Sequence, residues 1–219
     1  MMRKPRFRAS FVLPVALIFS GGASLFTVGA RDLRPHLGVR EASASVAIAV
    51  SLEELARASS VIARVTPIER VSAWEDGRIV TTTRVRVDEI VAGSIAGSAR
   101  ELRVRTLGGR VDNVGQIVEG EASFTTNEPS VVFLSAHSVP VAEATPGFVV
   151  SGRAQGQLLV KRDAAGREIV RLGAVGELVE RRLHPPLRNG GQRVTELDGA
   201  LLSSLATTAK RAWEAGHAK

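Results

Sequence analysis

"RIVTTTRVRVDEIV", residues 78–91, decides how the rest of the chain is read. Ile79, Thr81, Thr83, Val85 and Val87 fall on one side, and Val80, Thr82, Arg84, Arg86 and Asp88 on the other. That period of two is the mark of a long strand with one buried face. The four residues before Arg78 include "WEDG", residues 74–77, a hairpin turn of the Asp-Gly type. Upstream of it "VIARVTPIERVSAW" is again β-rich, and Pro67 marks a bulge or an edge position. A long hairpin is therefore expected over roughly 60–91. "AGSIAGSA" then serves as a turn-rich connector, and "ELRVRTL", residues 101–107, alternates once more.

Further along, "SVVFLSA", residues 130–136, is short and continuously apolar, as a central strand is. "GFVVSGRAQGQLLVKRDAAGREIVRL", residues 147–172, divides into three short strands, with Gly156 at one bend and Ala165-Gly166 at a hairpin tip. Strands punctuated by turns at short intervals predict a closed antiparallel sheet.

Helices flank this β region. In "SLEELARASS" Ser51 and Glu54 have the capping-box spacing, and Leu52, Leu55 and Ala56 share a face. Residues 31–50 read as a linker, with "SVAIAV" as a short entering strand, and residues 173–193 as a loop containing Pro185-Pro186 and Gly190-Gly191. A C-terminal helix is expected over 194–216, with Thr195 as N-cap and a stripe of Leu197, Leu201, Leu205, Ala209 and Ala212.

Composition narrows the class. Aromatics are 4% and Tyr is absent, so the core is expected to be built mainly from Val, Ile, Leu and Ala. "MMRKPRFR" is a positive n-region, and Ala9 to Ala30 carries no charge. Val28-Gly29-Ala30 and Ala42-Ser43-Ala44 offer small-residue cleavage sites, so residues 1–30 are expected to be a signal peptide cleaved after Ala30 or Ala44. The other reading is an uncleaved anchor, and only that would bring the protein to a membrane. The formal charge is +7, of which Arg3, Lys4, Arg6 and Arg8 supply four. The small remainder is no footprint for nucleic acid. Zero cysteines exclude disulfides, thiolate metal sites, a cysteine nucleophile and a lipoprotein anchor.

From Ser51 to Leu134 the order is helix, strand, hairpin, a long strand ending "VRVDEIVAGS", the strand "LRVRTLGG", a glycine loop, then "EPSVVFLS". This run resembles exported bacterial proteins that carry one barrel behind a signal peptide. It is also distantly similar to the netrin-like module of the tissue inhibitors of metalloproteinases. The resemblance implies a mainly β fold: an OB-like closed antiparallel barrel over residues 51–172, with a short leading helix and a C-terminal helix. It transfers no functional residue, because inhibition in that family uses an N-terminal cysteine and this chain has none.

Candidate sites follow from the pattern. Arg84, Arg86, Arg103 and Arg105 are expected to share an outer face, with Trp74 as the nearby aromatic, forming a possible ligand face. A solvated face partly neutralised by Asp88 and Glu101 is the plainer reading. "LGGRVDNVGQ", residues 107–116, offers Gly108, Gly109, Arg110, Asp112 and Asn113 as a rim loop. It matches neither G-x-G-x-x-G nor a P-loop, and no helix follows to receive a phosphate. It reads as a Gly108-Gly109 bend followed by an Asp112-Asn113 turn. His36, His137, His184 and His217 show no metal-ligand spacing. A triad of His137, a nearby serine and Asp112 has no nucleophile elbow behind it. The acidic clusters Glu75-Asp76, Asp88-Glu89 and Glu119/Glu121 do not by adjacency make a catalytic pair. The expectation is an exported binding module without catalytic residues, cofactor or metal, whose partner is an envelope or extracellular protein. The alternatives are an inhibitor or accessory of extracellular hydrolases, and a serine/histidine hydrolase.

Overall fold

The computed structural model describes residues 47–95, 99–137, 147–173, 178–179 and 191–218. The chain divides into two units, Met1–Glu41 and Ala42–Lys219, and every described residue lies in the second. The expected signal peptide over 1–30, and the linker up to residue 46, lie outside the described residues.

Strand β1 (Ala47–Ile48) leads to helix α1 (Leu52–Ala58). The capping box forms as the spacing predicts: the Glu54 N–H donates to Ser51 Oγ at 3.1 Å, and the Ser51 N–H to Glu54 Oε2 at 2.9 Å. Leu52, Leu55 and Ala56 are buried. Strands β2 (Val61–Glu75) and β3 (Arg78–Gly93) make the long hairpin, turned at Asp76 and Gly77, both at positive φ as an Asp-Gly turn requires. Register slips between Pro67 and Glu69, so Pro67 does stand at a bulge. Then follow β4 (Glu101–Leu107), β5 (Gly109–Val111), β6 (Val114–Gln116), β7 (Ser130–Ala136), β8 (Gly147–Val150), β9 (Gln157–Arg162) and β10 (Glu168–Leu172).

The protein is mainly β, and its main sheet returns on itself. Strand order is β10-β9-β7-β2-β3-β4-β8, and β8 also pairs with β7. The strands β7-β2-β3-β4-β8 therefore form a ring, with β9 and β10 extending from β7. The pattern of short strands and turns predicts antiparallel pairing throughout. The β4–β8 pair is instead parallel, from Arg103↔Gly147 to Arg105↔Val149. The reason is parity: strand direction cannot alternate all the way round an odd-numbered ring, so one neighbouring pair must run parallel.

Two cores result. Inside the ring, Val61, Ala63, Val65, Val85, Leu102, Val104, Val132, Leu134 and Phe148 pack together, and Phe124 from the long β6–β7 connection fills the same interior. On the other side of the wall, Ile62, Val131, Phe133, Leu158, Val160 and Val170 meet α1 and the C-terminal segment. Successive residues of β2 and β7 feed opposite cores, which explains why Val61–Ala63 and Val131–Leu134 are buried on both faces.

The C-terminal helix starts later than the periodicity predicts. Val194–Leu197 is a single 3₁₀ turn, and helix α2 spans Leu202–His217. Thr195 is not its N-cap. The break comes at Asp198-Gly199: Gly199 takes φ +82°, and Asp198 Oδ1 accepts the Leu172 N–H at 2.9 Å instead of capping a helix. Of the expected stripe, Leu205 and Ala209 are buried, Ala212 is partly buried, Leu197 is buried from the 3₁₀ turn, and Leu201 is exposed. Trp213 Nε1 donates to Ser59 O at 3.0 Å, fixing α2 against α1. The expected loop over 173–193 contains a short strand, β11 (Leu178–Val179), paired in parallel with β1.

Candidate functional site

The structure brings the four arginines together. Arg84 faces Arg103 directly across the β3–β4 ladder, Arg105 faces Thr82, and Arg86 faces Glu101, so all four share the outer face. Carboxylates interleave with them. Arg84 contacts Glu69 and Glu101, each at 2.9 Å, Arg86 contacts Asp88 at 2.8 Å, and Arg105 contacts Glu75 at 2.5 Å. The result is a mixed ion-pair lattice rather than a positive field. Trp74 does not join it. It pairs with Ile79, five positions from Arg84 along a regular strand, and so stands on the opposite face. Side-chain direction alternates along β3, and an odd step reverses it.

Trp74 instead belongs to the face where β4 ends and the glycine corner begins. Gly108 and Gly109 take φ +87° and +136° and turn the chain into the β5–β6 hairpin, whose tip is Asp112-Asn113 with Asp112 at φ +52°. This is the bend and turn that the sequence predicts. The corner is fixed from below. Thr81 Oγ1 donates to Gly108 O at 2.6 Å, the Gly108 N–H donates to Ile79 O at 2.8 Å, and the Ile79 N–H donates to Gln116 Oε1 at 2.6 Å. Arg110 Nε donates to the main-chain carbonyl of Asp112 at 3.2 Å, across the hairpin tip.

The chain after β6 then crosses the ring without regular structure, held at intervals. The Ala154 N–H donates to Gly120 O at 3.0 Å. Gln157 brackets Ser123, accepting its N–H and donating to its carbonyl, both at 2.9 Å. The Asn127 N–H donates to Pro67 O at 2.9 Å. Between this crossing segment and the glycine corner lies a cleft of about 530 Å³. Arg70, Thr81, Thr106 and Gly109 line one side of it, and residues from Gln116 to Ser123 the other. Ile117 is 93% exposed at its mouth.

Glu121 is the charged group set deepest in this cleft, its side chain only 11% exposed. Burial pushes its carboxyl pKa up from the usual carboxylate range. Arg153 and the N–H groups of Ala122 and Leu107 pull it back part of the way. Arg153 holds a left-handed backbone, φ +56°, with its guanidinium 3.5 Å from Glu121. A partly buried carboxylate with a single long ion pair retains capacity to accept a hydrogen bond from a ligand. The sequence shows Glu121 as one of an acidic pair, and nothing local marks it as a cleft residue. Its position depends on Arg153 and Gln157, more than thirty residues later.

Among the described residues the other candidates are not assembled into sites. His137 follows β7, and its N–H donates to Gly147 O at 3.0 Å. Ser135 Oγ is committed to Ala58 O and Ser151 Oγ, each at 2.6 Å, tying β7 to α1. Asp112 sits at a hairpin tip, and no hydrogen bond joins it to His137 among the described residues. His217 stacks on Trp213 with ring centroids 4.2 Å apart. His36 and His184 lie outside the described residues. Among the described residues no group of His, Asp and Glu side chains is arranged to hold a metal ion, and no helix is long and apolar enough to cross a membrane. Compared with known proteins, the chain matches no family model and no curated relative.

Proposed function

We propose that this protein is an exported, non-enzymatic binding module on a closed OB-like barrel, and that an envelope or extracellular protein docks at the cleft beside Gly108-Gly109. The observation that carries this reading is the cleft itself, with Ile117 exposed at its mouth and Glu121 held within it. Its apolar rim and single deep carboxylate suit a protein segment presenting an apolar side chain and a hydrogen-bond donor. The outer arginine face is the weaker candidate because its cations are already interleaved with carboxylates. The five-strand ring, its one parallel pair and its plug of Phe124 support the OB-like barrel. The basic n-region and the uncharged stretch that follows support export.

Capture from an envelope fraction tests the reading. Wild-type bait is expected to retain a partner that Ile117→Asp bait loses and that Ala165→Asp bait, altered at the distant β9–β10 tip, still retains. Identical captures by all three baits would contradict it.

A further inference from the structure

Strand β2 is fifteen residues long, yet β7 covers only Val61–Val65 of its outer edge. From Glu69 to Glu75 that edge has no strand partner among the described residues. Its main-chain polar groups point outward in a known pattern. Ile79 spends its N–H on Gln116 and its carbonyl on Gly108, both on the side away from β2. Ile79 and Trp74 are therefore a non-hydrogen-bonded pair, and Trp74 directs its own N–H and carbonyl away from β3. By alternation so do Ser72, opposite Thr81, and Arg70, opposite Thr83. The short Ser72 Oγ to Thr81 Oγ1 contact, 2.8 Å, agrees with the closer spacing of such pairs.

Exposed apolar side chains accompany this open edge. Val71 is 57% and Trp74 52% exposed, unusual for groups of their size. Arg70 forms no ion pair among the described residues. An open edge with apolar side chains is a template for another strand.

We infer that the edge pairs antiparallel with the same edge of a second copy of this chain, with Ser72 on the two-fold axis. The sequence around Ser72 is self-complementary in that register. Arg70 falls opposite Trp74 of the second copy, on the same face, and the symmetry makes the contact twice. A guanidinium over an indole face is a favourable cation–π pair. Val71 falls opposite Ala73 of the second copy on the other face. Glu69 would meet Glu75, but Arg84 and Arg105 already neutralise these two. The outward N–H and carbonyl groups of Arg70, Ser72 and Trp74 all come into ladder position. A register centred on Arg70 would instead oppose two cations.

The full chain contains no cysteine, so single introduced thiols report cleanly. Under mild oxidation Ser72→Cys is expected to give at least about five-fold more covalent dimer than Val114→Cys, since directly opposed strand residues meet disulfide geometry. Light scattering of the wild-type full chain is expected to read a dimer that Arg70→Glu converts to monomer with an unchanged circular dichroism spectrum. A wild-type monomer at all concentrations overturns the inference. So does a dimer that cross-links at Val114 and not at Ser72, or a Ser72→Cys thiol that captures only other polypeptides.

Discussion

Both terminal nitrogens of Arg64 on β2 reach Glu168 on β10, each at 2.8 Å from its own carboxylate oxygen. The pair spans β7 and β9 and ties the ring wall to the last strand of the sheet. The Arg64 guanidinium holds the Glu168 carboxyl below its ordinary pKa. A lowered folded-state value stabilises above the unfolded pKa, and the benefit is lost as pH falls through the folded one. Glu168→Gln is expected to cost roughly 0.5–1 kcal/mol at pH 7, a partly exposed pair being screened by solvent. Urea unfolding of both proteins at pH 7 and pH 3 checks this. The difference should shrink at the lower pH.

Glu121 has the opposite sign. Its carboxyl pKa is raised by burial, so the folded protein binds its proton more tightly than the unfolded chain does. Its contribution falls as pH rises from the unfolded value through the folded one. Glu121→Gln is therefore expected to raise Tm by about 1–2 °C at pH 7, and to confer no gain at pH 3. Thermal scans at the two pH values read the result.

The glycine corner is held by steric fit as well as by conformation. A Cβ on Gly109 would run into Thr81 Oγ1 and Ser72 Oγ, and its φ of +136° is unfavourable for any other residue. Gly115, on the same hairpin, has open space around it. Gly109→Ala is expected to destabilise by about 2–3 kcal/mol and Gly115→Ala by under about 0.5 kcal/mol, measured by denaturant unfolding.

Phe124 fills the interior of the ring from an irregular connection, at 1% exposure. Phe124→Ala is expected to cost about 3–5 kcal/mol by leaving a cavity among Val85, Val104 and Phe148. The exchange protection of β4 and β8 amides should fall with it.

Local chemistry is what made much of this fold legible. The Ser51–Glu54 box, the Asp76-Gly77 turn, the bulge at Pro67 and the Gly108-Gly109 corner each depend on a few adjacent residues. The face of Trp74 was also within reach. Counting back through the two-residue turn from buried Ile79 places it away from the arginines. The late start of α2 was hidden because Asp198 is a helix-initiating residue type, and only Leu172 and Arg171 draw it elsewhere. The parallel β4–β8 pair follows from the strand count of the ring, which periodicity does not give. The cleft was least legible: Gln157 and Ala154 hold the far chain at Ser123 and Gly120, and no short pattern encodes contacts so distant.

Photo-cross-linking in the producing cell tests docking at the cleft. A benzophenone side chain at Ile117, in the cleft mouth, is compared with one at Arg86, on the ion-paired outer face. A discrete adduct with an envelope or extracellular protein is expected from position 117 and none from position 86. An adduct from 86 alone, or none from either, would contradict it.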